Sequence, residues 1–354
     1  MIQKIIQMLV ERRDLTYDEA YGAMRSIMVG EATPSQIASF LTALRIKGET
    51  VEEISAFASA MMEFCYKIKP EVNGRIVDTC GTGGDALKTF NISTAAAFVA
   101  AGAGVVVAKH GNRSVTSKCG SADVLEKLGL NLNVKPETVK MAIEKIGVGF
   151  IFAPAFHPAM KNVAGVRREL GIRTVFNILG PLANPACANA RTIGVYEAGL
   201  VDKVAWALKR LNVEEAMVCH GLDGLDEIST IGKTLIAWLR NGEIKTLEVT
   251  PENFGVRKAR AEEIAGTSPE ESAQLTFKIL YGVLGDEDPK RDIVLVNAAA
   301  AIIVGGKAED YCYAMELARK SIESGAAYKK LKGLLSCYEG SNLSILEEME
   351  AKYG

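Results

Sequence analysis

Between Asp78 and Asp85 the chain reads DTCGTGGD. Gly81, Gly83 and Gly84 free the backbone to turn where side chains would clash, and they bare its N–H groups. An anion suits such a nest, and suits it better beside a helix N-terminus. Asn91-Ile92-Ser93-Thr94 follows and opens a helical pattern with an amide and two hydroxyls. Those groups suit a pyrophosphate at the helix start, against the plainer reading of Asn91 or Ser93 as an N-cap. The chemistry these residues point to is the holding of a phosphate or pyrophosphate.

Three further clusters carry chemistry. Lys109-His110-Gly111-Asn112-Arg113 follows the β-branched run Val105–Ala108, where a sheet collects its ligands. Lys109 and Arg113 there are expected to neutralise phosphate charge, and Ser117, Lys118, Gly120 and Ser121 extend the polar loop. His157 and Arg167-Arg168 lie on or near an expected helix over 157–170; an arginine suits a carboxylate through two parallel N–H bonds, or serves in a surface ion pair. Asp226-Glu227, after Gly221-Leu222-Asp223-Gly224, reads as an Mg²⁺ site or an acidic turn. The cysteines lack zinc spacing, and the three histidines form no H-E-x-x-H; no G-x-S-x-G supports acyl transfer by serine.

Two kinds of element must position these groups. Three capping-box spacings (Thr16/Glu19, Thr33/Gln36, Thr50/Glu53) mark helix starts in the first 65 residues, and Gly30 and Gly48 mark ends. From about residue 70, short strands alternate with helical patterns: Arg75–Thr79, Val105–Lys109, Gly149–Ala153, Arg191–Tyr196 and Glu215–Cys219. Asn241-Gly242 joins Thr234–Leu239 to Ile244–Val249 as a hairpin. The expected fold is α/β: a small N-terminal all-helical domain and a larger α/β domain with a mostly parallel central sheet. The helical domain is placed at residues 1–69, with a contribution from about 160–182. The α/β domain takes 70–159 and 183–354.

The totals are ordinary for a soluble globular protein. Of 354 residues, 48% are hydrophobic and 24% charged, and the net charge of −2 argues against a nucleic-acid protein. Seven scattered cysteines fit a reduced, cytoplasmic protein, and no stretch reads as a signal peptide or a membrane span.

Five blocks in order resemble the anthranilate phosphoribosyltransferase family: DTCGTGGD, NIST, KHGNRSVTSKCGSADVLEKLG, HPAMKNVAGVRRELGIRTVFNILGPLANP and HGLDGLDEIS. The resemblance spans nearly the whole chain; Cys119 stands where serine is commoner. It implies transfer of a 5-phosphoribosyl group from 5-phosphoribosyl 1-diphosphate to the amine of anthranilate, with Mg²⁺, in tryptophan biosynthesis. It further implies that Gly81, Thr82, Gly83, Gly84, Asp85, Thr89, Asn91, Ser93, Thr94, Lys109 and Ser121 hold the donor. Gly81, His110, Asn112, Arg167, Gly180 and Pro181 would line the anthranilate path, and Ser93, Asp226 and Glu227 would hold the metal. Lys109, Asn112 and Arg167 are the implied catalytic set, Arg167 being preferred to Arg168 because it stands ten residues after His157. A homodimer through the helical domain is also implied, with no nucleic-acid or membrane partner. Two relatives of this architecture compete. A pyrimidine nucleoside phosphorylase would carry a different glycine loop and lysine-serine signature, and a nucleic-acid-binding relative would carry a basic surface.

Overall fold

The computed structural model of the chain describes residues 1–84, 87, 89–114, 119–266 and 268–354. Four helices open it: α1 (Ile2–Val10), α2 (Tyr17–Val29), α3 (Pro34–Lys47) and α4 (Val51–Glu63). All three expected capping boxes form, and Gly30 closes α2 in the left-handed conformation (φ 90°, ψ 20°). Glu53 does more than cap. Fully buried, it accepts the Leu15 N–H at 2.9 Å and the Lys47 ammonium at 2.9 Å, tying α4 to the α1–α2 connection.

Seven strands form one sheet: β1 (Ile76–Asp78), β2 (Val106–Gly111), β3 (Val148–Phe152), β4 (Ala190–Gly194), β5 (Glu215–Gly221), β6 (Thr234–Arg240) and β7 (Glu243–Val249). Their order is β3-β2-β1-β4-β5-β6-β7; β1 to β5 run parallel and β6 and β7 antiparallel. Asn241 and Gly242 take φ 52° and 76°, the two positive angles that a tight I′ hairpin turn requires. The expected helix over 157–170 begins only at Lys161. Pro154 and Pro158, which cannot donate within a continuing helix, break the run into the short helix Ala153–Phe156 and a 3₁₀ turn at Pro158–Met160.

The apolar residues form two clusters, one on each face of the sheet. Met217, Cys219 and Ile236 point into one; Ala216, Val218 and Ala237 point into the other, as strand alternation dictates. The first cluster is covered by helix Pro289–Val304, buried at every residue from Arg291 onward, and by the alanine-rich helix Ile92–Gly102. The apolar run starting at Ile92 is thus a buried helix leading into a strand. Gly102 admits its neighbour closely: a Cβ there would lie 2.2 Å from Ser321 Oγ and 2.6 Å from the Ala327 nitrogen. The second cluster joins α1–α4 to helices Lys161–Leu170, Phe176–Leu182 and Val201–Arg210, so the N-terminal helices share a core with later ones.

The two sheet edges are finished differently. β7 presents Glu243, Lys245 and Glu248, charges that discourage pairing with another strand. At β3 the buried Tyr338 hydroxyl accepts the Phe150 N–H at 2.9 Å and donates to the Phe150 carbonyl at 2.8 Å, standing in for a missing strand. The strand order reverses between β1 and β4, which opens a crevice beyond their carboxyl ends.

Candidate functional site

β1 delivers the glycine loop into that crevice. The Thr82 N–H donates to the Gly194 carbonyl at the end of β4 (2.8 Å), and Thr82 Oγ1 accepts the Tyr196 N–H (3.1 Å). Gly83 and Gly84 take φ 68° and 82°, angles that L side chains rarely adopt. The Gly84 carbonyl accepts from Arg173 Nη2 at 2.7 Å, and that guanidinium lies 4.2 Å from the centre of the Tyr196 ring. Asp85, Ser117 and Lys118 lie outside the described residues. The Thr89 backbone forms an antiparallel bridge to Ala265. Asn91 stands at the N-cap of helix Ile92–Gly102, yet its side chain does not cap. It donates to the Cys119 carbonyl at 3.2 Å, and its Oδ1 is buried with no partner among the described residues. Ser93 and Thr94 occupy the first turn.

β2 brings Lys109 under the loop. It is 4% exposed, and its ammonium donates to Thr79 O (2.9 Å), Thr79 Oγ1 (3.2 Å) and Ser93 Oγ (3.3 Å). All three acceptors are neutral oxygens, so the charge is hydrogen-bonded but not cancelled. Burial lowers its pKa, and the acidic groups nearby, Asp78 and Glu227 among them, push the other way. Asp78 is itself buried; it accepts the His110 N–H at 3.1 Å and Asn184 Nδ2 at 2.7 Å, and Arg191 stands 3.9 Å away.

His110 Nδ1 meets the Gly180 carbonyl at 3.1 Å. Burial brings the ring's pKa down to about 4, so it is neutral at pH 7. The neutral ring must donate Nδ1–H to that carbonyl, which leaves the Nε2 lone pair as an acceptor. That Nε2 is buried with no partner among the described residues, as is the Nε2 of His157, whose ring lies 5.1 Å away with its pKa lowered by burial to about 3. Arg191 Nη1 donates to the Pro181 carbonyl at 2.5 Å, so Gly180 and Pro181 are both tied to the sheet.

The Asn112 carbonyl accepts from Ser121 Oγ at 3.4 Å and from the Ala122 N–H at 3.2 Å, which joins the two polar loops. Arg113 does not meet the expectation of a phosphate partner. Its guanidinium is held by Glu126 at 2.7 and 2.8 Å and by Asp123 at 3.0 Å, both on helix Ser121–Lys127. Arg167 is partly buried, lies 5.3 Å from the centre of the Phe176 ring and has no acidic partner among the described residues; burial alone lowers its pKa. Arg168 is exposed.

Asp226 and Glu227 lie in the loop after β5. A Cβ on Gly81 would sit 3.4 Å from Asp226 Oδ2, so that carboxylate faces the glycine loop. Glu227 borders a cavity of about 10 Å³ together with Thr79, Gly81, Ser93 and Cys219. Carboxylate and hydroxyl oxygens are the hard donors that Mg²⁺ selects. The Cys219 thiol is pushed well above its ordinary pKa by burial and by both carboxylates, so it stays protonated and offers no competing soft ligand. Asp78, Cys80 and His110 also come within 4.8 Å of one another. They fit a metal poorly, because both Asp78 oxygens are taken and burial pushes the Cys80 thiol up to about 12.

Sequence reasoning passed over Gly194, Tyr196 and Arg173, which brace the glycine loop, and Asn297, which contacts the segment after Glu227. Asn297 did leave a signal, as the lone amide in the apolar run VLVNAAAAIIV.

Comparison with known proteins gives a consistent set of likenesses. Residues 73–328 match the α/β domain of a glycosyl transferase family and residues 3–65 its helical bundle domain. The anthranilate phosphoribosyltransferase of Acetivibrio thermocellus is 52% identical, over 94% of this chain and 95% of that protein. That of Methanocorpusculum labreanum is 50% identical, over 97% and 99%. Among solved structures, the Thermus thermophilus enzyme superposes with a TM-score of 0.88 at 40% identity, covering 97% of this chain and 99% of that one. The Saccharomyces cerevisiae enzyme in complex with PRPP and Mg gives 0.87 at 31%, covering 95% and 97%.

Proposed function

The chain belongs to the anthranilate phosphoribosyltransferase family, and from that premise we propose how its residues divide the work of the reaction. The protein transfers the 5-phosphoribosyl group of 5-phosphoribosyl 1-diphosphate to the amine of anthranilate and releases pyrophosphate, a step in tryptophan biosynthesis. The observation that carries the residue assignment is the meeting, beyond the carboxyl ends of β1, β2, β4 and β5, of a glycine loop, a buried lysine and two adjacent carboxylates.

The donor side is formed by Gly81, Thr82, Gly83, Gly84, Asp85, Thr89, Asn91, Ser93, Thr94, Lys109 and Ser121. As the bond from C1 to the pyrophosphate oxygen breaks, the sugar becomes oxocarbenium-like and the leaving group gains negative charge. Lys109 and those N–H groups of the glycine loop not already bonded within the protein, as the Thr82 N–H is to Gly194, stabilise that charge. Asp226 and Glu227, with Ser93, hold Mg²⁺, which when bound neutralises the diphosphate. The side chains of this site have no covalent step to perform; their tasks are positioning and electrostatics.

The acceptor side is formed by Gly81, His110, Asn112, Arg167, Gly180 and Pro181. Arg167 binds the anthranilate carboxylate, a role supported by its burial with no acidic partner among the described residues. His110 Nε2 accepts from the anthranilate amine and orients it toward C1, a role supported by its fixed tautomer and by a lone pair that meets no partner among the described residues.

The active unit we infer is a homodimer through the helical domain. Val10 on α1 and Ile46 on α3, helices packed on each other, are 64% and 66% exposed. A cytoplasmic location is supported by seven scattered cysteines, none of them joined in a disulfide. No described helix is long and apolar enough to cross a membrane. The test is loss of anthranilate fluorescence in the presence of donor and Mg²⁺. Loss that needs all three components is the expected result; folded protein that leaves the fluorescence unchanged would refute the assignment.

A further inference from the structure

Two segments converge on Gly194, the last residue of β4. Its carbonyl accepts the Thr82 N–H of the glycine loop at 2.8 Å. Its α-carbon faces the carboxylate segment from the other side. A Cβ added there would lie 1.4 Å from the Asp226 carbonyl oxygen, 2.3 Å from the Asp226 carbonyl carbon and 3.2 Å from the Glu227 nitrogen. These are backbone atoms, so no side-chain rotation relieves the clash. Gly194 has no need of a positive φ; what requires glycine is the close approach of a second backbone.

Asn297 holds the same segment from beneath. It sits on helix Pro289–Val304, 7% exposed, in a stretch otherwise apolar. Its Oδ1 accepts the Ile228 N–H at 2.9 Å, and its Nδ2 donates to the Ile228 carbonyl at 3.0 Å and to the Ile293 carbonyl at 2.8 Å. One amide thus grips both polar groups of the residue that follows Glu227 and anchors them to a buried helix. Asn297, Gly194 and Glu227 all border the same small cavity as Ser93 and Thr79.

We propose that Gly194 and Asn297 are positioning residues that set the spacing between the diphosphate loop and the Asp226–Glu227 metal carboxylates. Gly194 fixes how near the two segments come, and Asn297 fixes the orientation of the peptide that carries Glu227. Both act through the two segments they hold. The inference rests on the reading of Asp226 and Glu227 as the Mg²⁺ ligands, and its test separates the two ideas. Partners that orient metal ligands typically change metal affinity by about 10–100-fold when removed.

The experiment is calorimetric binding of 5-phosphoribosyl 1-diphosphate at a series of Mg²⁺ concentrations, without anthranilate, so that no turnover occurs. Thermal unfolding is measured alongside. Asn297→Ala and Gly194→Ala are compared with wild type, with the Asp226→Asn/Glu227→Gln double variant, and with Ile302→Ala. Ile302 is buried on the same helix as Asn297 and takes no part in the site, so its variant reports plain loss of core stability. The expected result is a rise of about tenfold or more in the Mg²⁺ concentration for half-maximal donor binding in Asn297→Ala and Gly194→Ala, with none in Ile302→Ala at comparable loss of Tm. If the double variant shifts the Mg²⁺ curve but Asn297→Ala and Gly194→Ala do not, the positioning role is wrong and the metal reading stands. If the double variant leaves the curve unchanged, the metal reading fails and takes the inference with it. Should Gly194→Ala fail to fold, Asn297→Ala alone decides. Equal shifts in Asn297→Ala and Ile302→Ala would assign Asn297 to stability only.

Discussion

Replacing Arg167 with methionine should separate binding from stability. The guanidinium is largely withdrawn from water, and no acidic group among the described residues faces it. What compensates it is the Phe176 ring at 5.3 Å, a contact worth roughly 0.5–1 kcal/mol. Without substrate, then, the charge bears a desolvation cost with little return, and methionine, of similar length, removes both. The change in stability should be near zero, with Tm moving by less than about 3 °C. With anthranilate bound, the guanidinium gains a carboxylate partner through charge-assisted hydrogen bonds, worth roughly 1.5–3 kcal/mol. Arg167→Met should therefore raise KM for anthranilate about 10–150-fold and change KM for the donor by less than about threefold. The assay is loss of anthranilate fluorescence with each substrate varied in turn, alongside calorimetric unfolding. An added control is anthranilamide, whose neutral group wild type should disfavour and the variant should not. A donor KM that rises equally, or a Tm that collapses, would refute the carboxylate role.

The Asp226→Asn/Glu227→Gln variant should need about tenfold more Mg²⁺ for half-maximal rate, checked by titration at saturating substrates; an unshifted curve removes both residues from the metal site. His110 and His157, with folded pKa values of about 4 and about 3, should make the fold acid-sensitive. Both values lie below the unfolded 6.5, so the unfolded chain takes up protons first; stability is complete above about pH 6.5 and falls as pH drops toward 4 and 3. Each histidine costs roughly 2–3 kcal/mol by pH 4.5. Buried Asp78, with its raised pKa, works in the opposite direction, so the measurement to make is the difference between wild type and His157→Asn in urea unfolding at pH 7.5 and 4.5. Parallel pH curves would show that His157 is not the source. Tyr338→Phe should cost roughly 2–5 kcal/mol in the same assay by leaving the Phe150 N–H and carbonyl unpaired; a loss below about 0.5 kcal/mol would mean that water replaces the hydroxyl.

The sequence announced these elements wherever the governing interaction is local. Thr16, Thr33, Thr50 and Ser268 sit three residues from their capping partners, so each helix start can be read in four letters. Asn241-Gly242 specifies its own turn between two short strands. The glycine loop was legible for the same reason, since its φ angles are a property of the loop itself. What escaped depends on partners far along the chain. Arg113 has the charge to meet a phosphate, and only the fold turns Asp123 and Glu126 toward it. Asn91 looks like an N-cap until Cys119, 28 residues on, takes its amide. Gly194 carries no local signature, because its need for glycine comes from Asp226, across a strand and a helix.

The finishing of the β3 edge has a consequence for how the protein is made. Phe150 and the hydroxyl that seals it are 188 residues apart. On a ribosome working at about 5–20 residues per second, β3 waits roughly ten seconds or more for Tyr338 to be synthesised. Throughout that interval the nascent sheet offers an unsealed rim of backbone groups, while β7 at the opposite rim guards itself with its own charges from the moment it forms. Vulnerability to mispairing between neighbouring nascent chains is thus concentrated at one strand and in one window of time.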